Sequence, residues 1–243
     1  MSKTLSFLYG VAAYAVFLLA FLYAIGFVGN IVVPKSIDSG PASSLSQSLL
    51  INVLLLGLFA VQHTIMARPA FKEWWTKLVA VRIERSTFVL VTSLILLLLY
   101  WQWRPMTNVT WSVEQSTVRM LLWALFGLGW LTVLWSTFMI NHFDLFGLRQ
   151  VWLHLRGREY HHLALRMTAL YKYLRHPIML GFIVAFWATP HMTAGHLLFA
   201  VATTGYILIG IQFEERDLVR FLGQGYEDYR RRVPMLIPFT KKR

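Results

Sequence analysis

Apolar positions gather in six stretches, at about 5–33, 45–66, 86–103, 118–140, 177–189 and 193–213, with polar residues between them. Near-continuous apolar runs of about 18 residues or more match the ~30 Å hydrocarbon core of a bilayer. The pattern predicts an all-α fold, a polytopic transmembrane helical bundle of five to six spans. The fifth stretch is the exception. Its dozen or so residues rise roughly 18 Å, too little to cross unless the preceding polar turn joins the same helix. Pro177 suits the first turn of that helix, where a missing N–H costs nothing. Only "TPHM" separates the fifth stretch from the sixth, which predicts a tight antiparallel hairpin. "RPAFKEWWTKL" at 68–78 reads as an interfacial amphipathic helix with Trp74 and Trp75 at headgroup depth. The tail over 214–232 has a helical pattern that ends by Pro234. With no internal repeat or flexible linker, 1–243 reads as one domain, with a four-span bundle over 1–140 and a hairpin and tail over 168–239.

Charge adds an orientation. Only 14% of residues are charged, against about 25% in ordinary soluble domains, and the net charge is +12. In a soluble chain that excess would point to nucleic acid; among spans its placement is what counts, and membrane lipid is the expected partner. Lys3, Arg68, Lys72, Lys77, Arg82 and Arg85 lie on one side, as do Arg149, Arg156, Arg158, Arg166, Lys172, Arg175 and eight more cations after the sixth stretch. Lys35, Arg104 and Arg119 alone lie on the other. Both termini are therefore expected in the cytoplasm, with 34–44, 104–117 and 190–192 facing away. The first stretch is too long for a signal-peptide core and reads as a retained span. Cysteine is absent, which excludes disulfides, a cysteine thiolate nucleophile and a cysteine-ligated metal. No H-x-x-x-H or H-E-x-x-H spacing supports a metal site among the eight histidines.

Two polar constellations stand against this apolar background. Tyr171, Lys172, Tyr173, Arg175 and His176 crowd the entrance to the short fifth stretch. Glu214 and Glu215 emerge from the sixth, where an uncompensated carboxylate is costly. Spacing alone leaves two readings open for each. The first cluster is an interfacial anchor or a seat for a charged ligand; the second ends its span by pairing with Arg216 or Arg220, or binds that ligand.

"YKYLRHPIMLG" followed by "EERDLVRFLGQGYEDYRRRVPMLIP" resembles the C-terminal signature of the integral-membrane methyltransferases, a group that includes the isoprenylcysteine carboxyl and phospholipid N-methyltransferases. The pattern is Tyr, three residues, Arg-His-Pro, Gly, a hairpin, Glu-Glu, Gly-x-x-Tyr-x-x-Tyr and Pro-x-x-x-Pro, over about a third of the chain. Two positions depart from it: Met179 stands where a Tyr is usual, and Ala169–Leu170 where a Gly often precedes the first Tyr. Further upstream, "FAVQHTIMARPAFKEWW" and "STFMINHFDLFGLRQVWLHLRG" resemble the branch that holds the membrane protein NnrU and the bacterial methanethiol S-methyltransferases.

This resemblance implies methyl transfer from S-adenosylmethionine to methanethiol, a small volatile thiol, giving dimethyl sulfide and S-adenosylhomocysteine. It implies that Tyr171, Arg175, His176, Pro177, Gly181, Glu214 and Glu215 hold the cofactor. The chemistry agrees: Arg175 can fork onto the cofactor carboxylate, Glu214 or Glu215 can accept from the ribose diol or the ammonium, and Tyr171 can face the sulfonium or the adenine. His176 can donate to the ligand, and the helix start at Pro177 offers N–H groups to an anion. The polar cluster thus fits a cofactor seat better than an anchor. A weakly acidic thiol gains from a base, and His63, or His142 oriented by Asp144, is the expected catalytic group. A lipid or isoprenyl acceptor, and a non-catalytic NnrU-like accessory role, stay open as alternatives; a transporter would show an inverted repeat and mid-membrane charges.

Overall fold

The computed structural model describes residues 1–161, 167–238 and 240. Its elements in chain order are α1 (Lys3–Gly29), α2 (Leu45–Ala67), α3 (Pro69–Trp75), α4 (Val81–Gln102), β1 (Val109–Ser112), α5 (Ser116–Ile140), α6 (His142–Leu145), α7 (Leu148–Leu155), α8 (Pro177–Trp187), β2 (His191–Thr193), α9 (Ala194–Leu222) and α10 (Gln224–Arg232). The fold is all-α and polytopic. Five helices, α1, α2, α4, α5 and α9, are long and apolar enough to cross a membrane, and α8 is the short apolar helix. At 11 residues α8 rises only roughly 16 Å, about half a bilayer core.

The chain divides into two compact units, 1–108 with 141–163 and 109–140 with 164–243. The fourth span, α5, therefore groups with the hairpin and tail rather than with the first three spans, as the 1–140 boundary had it. The reason is a glycine contact that the hydropathy pattern does not reveal. A Cβ on Gly129 of α5 would sit 2.8 Å from the Gly181 carbonyl oxygen, and one on Gly181 of α8 would sit 2.9 Å from the Val133 nitrogen. Only glycine lets these two backbones come so close.

In the first unit α1 packs on α4 and α7, and α2 on α4. Ser2 and Ser44 cap α1 and α2 by accepting from the Leu5 and Gln47 N–H groups, satisfying donors that a helix start leaves orphaned. The loop after α4 is tied down from within: the fully buried Asn52 donates to the Arg104 carbonyl at 2.7 Å and accepts from the Arg104 N–H at 2.9 Å. Arg85 donates to the Leu145 carbonyl at 2.7 Å and so fixes the α6 turn to α4. The expected interfacial helix is α3, with Phe71 and the paired Trp74 and Trp75 rings in contact.

In the second unit β1 and β2 form a small antiparallel ladder, and Trp187 of α8 donates to Thr204 of α9 at 2.9 Å, closing the expected hairpin. At 29 residues α9 spans roughly 44 Å, well beyond the ~30 Å hydrocarbon core, so its last turns, carrying Glu214 and Glu215, extend past the apolar stretch. The helical tail is broken once, at Gly223, whose φ of +59° marks a backbone region that favours glycine.

Candidate active site

The α8 entrance is built by the tail folding back upon it. The Arg175 N–H donates to the Pro234 carbonyl at 3.0 Å and the His176 N–H to the Met235 carbonyl at 3.2 Å. Pro234 takes part in this pairing through its carbonyl and needs no N–H. Leu236 then packs with Ile207 and Ile211 of α9, against Met179 and Leu180 of α8. Met179 is thus part of an apolar cluster.

Arg175 is buried, and its guanidinium turns inward. Nε donates to Glu215 Oε1 at 2.6 Å, while Nη1 donates to the Arg230 and Val233 carbonyls at 3.0 and 2.5 Å. A two-pronged fork on a ligand carboxylate, as the sequence suggested, would have to displace one of these. The arginine instead ties α8, α9 and the tail together. His176 Nε2 donates to the same Glu215 oxygen at 3.0 Å, and Nδ1 lies 3.5 Å from Glu214 Oε2. Burial alone would lower the His176 pKa, but the two carboxylates outweigh it and raise it to about 9, so the imidazole is cationic at neutral pH. Two cations and two carboxylates balance. Glu215 is enclosed, whereas the Glu214 side chain is 46% exposed.

The tyrosines of the tail divide in role. Tyr229 donates to the Tyr171 carbonyl at 2.6 Å, fastening α10 to the turn before α8. Tyr171 itself is buried, and its hydroxyl makes no hydrogen bond to a described residue. Burial, and then the Glu214 charge, push its phenol up. Tyr171, Arg175, His176, Glu214 and Glu215 are thus brought together. Pro177 opens α8 as its first residue, and Gly181 packs closely against the α5 backbone. The fastening role of Tyr229 was missed although its Gly-x-x-Tyr-x-x-Tyr spacing was visible; Gly129 carried no signal apart from its partner.

The first unit holds the other expected residues. His142 is buried, with Nε2 2.8 Å from the Tyr14 hydroxyl and its ring against Phe146 and Phe143. Burial lowers its pKa and so favours the neutral imidazole. Asp144 serves other groups: it accepts from Arg149 at 2.9 Å and from Tyr160 at 3.3 Å. The orienting partner that the structure gives His142 is therefore Tyr14, in place of Asp144. His63 stacks on Phe59, with ring centroids 5.4 Å apart, and lies against Phe88.

Comparison with known proteins adds to this geometry. No family model matches the chain, and no solved structure matches it. It is 60% identical over its full length to a methanethiol S-methyltransferase of Mycobacterium tuberculosis, covering 99% of that protein. It is 56% identical to methanethiol S-methyltransferase 2 of Bradyrhizobium diazoefficiens, over 97% of this chain and 92% of the relative. Nurim of Mus musculus is more distant, 31% identical over 72% of this chain and 70% of its own length.

Proposed function

The chain belongs to the methanethiol S-methyltransferase family, and on that premise we propose that it moves a methyl group from S-adenosylmethionine to methanethiol, releasing dimethyl sulfide and S-adenosylhomocysteine. The cofactor supplies a methyl group on a sulfonium, open to in-line displacement by a thiolate. One observation carries the seat: Glu214 stands half-exposed over a network whose remaining charges are already paired, beside the unbonded Tyr171 hydroxyl. A half-exposed carboxylate and an aromatic ring suit a ligand with a cationic centre and an ammonium. Arg175 and Glu215 hold that surface in shape, and His176 keeps Glu214 aimed across the α8 entrance.

On the acceptor side we assign the proton to His142 rather than His63. A neutral imidazole with a hydroxyl at Nε2 is equipped to hold or pass a proton. As the new carbon–sulfur bond forms and the sulfonium bond breaks, the thiol proton passes to the Tyr14–His142 pair. Asp144 acts on its own loop. The loop cations favour both termini in the cytoplasm of a bacterial-type inner membrane, where the cofactor is supplied.

Purified protein given methanethiol and methyl-labelled S-adenosylmethionine is expected to release labelled dimethyl sulfide. Labelled product on an added lipid, with none in the headspace, would overturn the acceptor; no transfer at all would overturn the activity.

A further inference from the structure

The first unit holds a cavity of about 340 Å³ between the segment that leads into α2 and the residues 105–108 that follow α4. It lies at the opposite end of α2 from His63. Ser48 stands in its wall, 1% exposed, with an enclosed hydroxyl that makes no hydrogen bond. A buried hydroxyl ordinarily finds a partner. Leu45, three residues earlier and so on the same side of the helix, also lines the cavity. It is the first residue of α2, where backbone N–H groups lack helical partners and favour an anion.

The charge around the cavity is unbalanced. Gly40 and Pro105 belong to the wall. Arg104 precedes Pro105, and although Asn52 clamps its backbone, its Nε is enclosed with no hydrogen-bond partner. The Lys35 ammonium donates to the Trp101 carbonyl and lies 3.5 Å from where a Cβ on Gly40 would stand. Burial and then the Arg104 charge lower the Lys35 pKa, so the two cations feel one another. The carboxylate of the wall, Asp38, accepts from the Asn30 amide at 2.7 Å. Lys35 and Arg104, two of the three cations expected away from the cytoplasm, thus meet at one place.

The outer side of the cavity is apolar. Leu45 is 65% exposed, and Leu49 and Val53, at the next two turns of α2, are exposed as well. On a helix long and apolar enough to cross a membrane, such a stripe faces acyl chains.

We propose that this cavity seats the phosphate group of a glycerophospholipid whose acyl chains run down the Leu45, Leu49 and Val53 stripe. Ser48 donates to one phosphate oxygen, the α2 start offers its N–H groups to another, and Arg104 and Lys35 supply the countercharge. A neutral headgroup would leave both cations unmatched, and a free anion would leave the stripe unused. The site is independent of the methyl-transfer reading, since none of its residues is assigned to that chemistry.

The test follows the thermal midpoint of the full-length protein in neutral detergent as dihexanoylphosphatidylglycerol, dihexanoylglycerol or inorganic phosphate is added. A ligand that binds the folded state raises that midpoint. The phospholipid should raise it saturably, and the other two should not. Ser48→Ala should keep the lipid-free midpoint, because its hydroxyl has no bond to lose, yet need at least about tenfold more phospholipid. Arg104→Gln should also need about tenfold more. Arg119→Gln, which removes an exposed cation elsewhere, should respond as the intact protein does. No rise with the phospholipid, or an equal rise with dihexanoylglycerol, would overturn the site. An equal rise with inorganic phosphate would overturn the lipid in favour of a free anion. A lower lipid-free midpoint with an unchanged response in Ser48→Ala would overturn the seat by returning that hydroxyl to packing. An equal loss in Arg119→Gln would overturn it by reducing the effect to diffuse charge.

Discussion

The two polar sites are constructed on opposite principles. At the α8 entrance four charges lie together, and Arg175, His176 and Glu215 are held by hydrogen bonds from three chain segments. Around His142 the environment is aromatic, and Nε2 lies 2.8 Å from the Tyr14 hydroxyl. The first site keeps its charges by pairing them; the second keeps an imidazole neutral by burying it. Dense pairing gives a rigid surface on which a ligand can rest. A neutral imidazole beside a hydroxyl can change protonation during a reaction.

Substitutions should separate the two sites. His142→Gln should reduce turnover by about 10²–10⁴-fold while leaving S-adenosylhomocysteine affinity unchanged, the range for loss of a general base. The defect should shrink as pH rises toward 10, where thiolate forms unaided; a constant defect across that range would assign His142 to packing. Arg175→Met should act on stability instead. Removing one member of a buried pair costs about 3–5 kcal/mol because the partner charge stays behind, so the midpoint of denaturant unfolding should fall well below that of the intact protein.

A pH dependence sharpens the contrast. The folded-state pKa of His176 is raised from an ordinary 6.5 to about 9. Its contribution to stability is therefore complete below about pH 6.5 and is lost as pH rises through 9. That contribution is on the order of 3 kcal/mol for this nearly enclosed ring. Unfolding of the intact protein should weaken between pH 7 and 10, and His176→Gln should flatten that part of the profile. The smallest effect concerns Ala169, which lies just before Tyr171 with φ at +46°. Glycine enters this left-handed region without the Cβ clash, so Ala169→Gly should raise the unfolding midpoint by the equivalent of about 1 kcal/mol. A lower midpoint would show that the turn gains more from the methyl group than it loses.

How much of this was legible in the sequence follows the same division. Hydropathy alone located the five long helices and the short α8, because a bilayer demands continuous apolar runs. The Arg-His-Pro and Glu-Glu pairs were visible because charge beside an apolar stretch is costly and conspicuous. Their internal use was not. That Arg175 turns toward Glu215 and the tail carbonyls depends on 233–236 returning to α8, a contact between distant segments. The partner of His142 was hidden for the same reason, since Tyr14 lies 128 residues away. Asp144 looked closer in the sequence, but Arg149 and Tyr160 claim its oxygens. The close approach at Gly181 was hidden as well, because glycine gives no hint of what approaches it, and here it is the α5 backbone.

The central claim is that, within one cluster, Arg175 holds the fold and Glu214 meets the ligand. Measuring S-adenosylhomocysteine affinity and thermal midpoint together on Glu214→Gln tests it most directly, with Arg175→Met alongside. Loss of one charge-assisted contact costs on the order of 2 kcal/mol, about 30-fold in affinity. Glu214→Gln should show that loss with an unchanged midpoint, whereas Arg175→Met should lower the midpoint first. If Glu214→Gln binds as tightly as the intact protein and unfolds at a lower temperature, Glu214 is structural and the division is wrong.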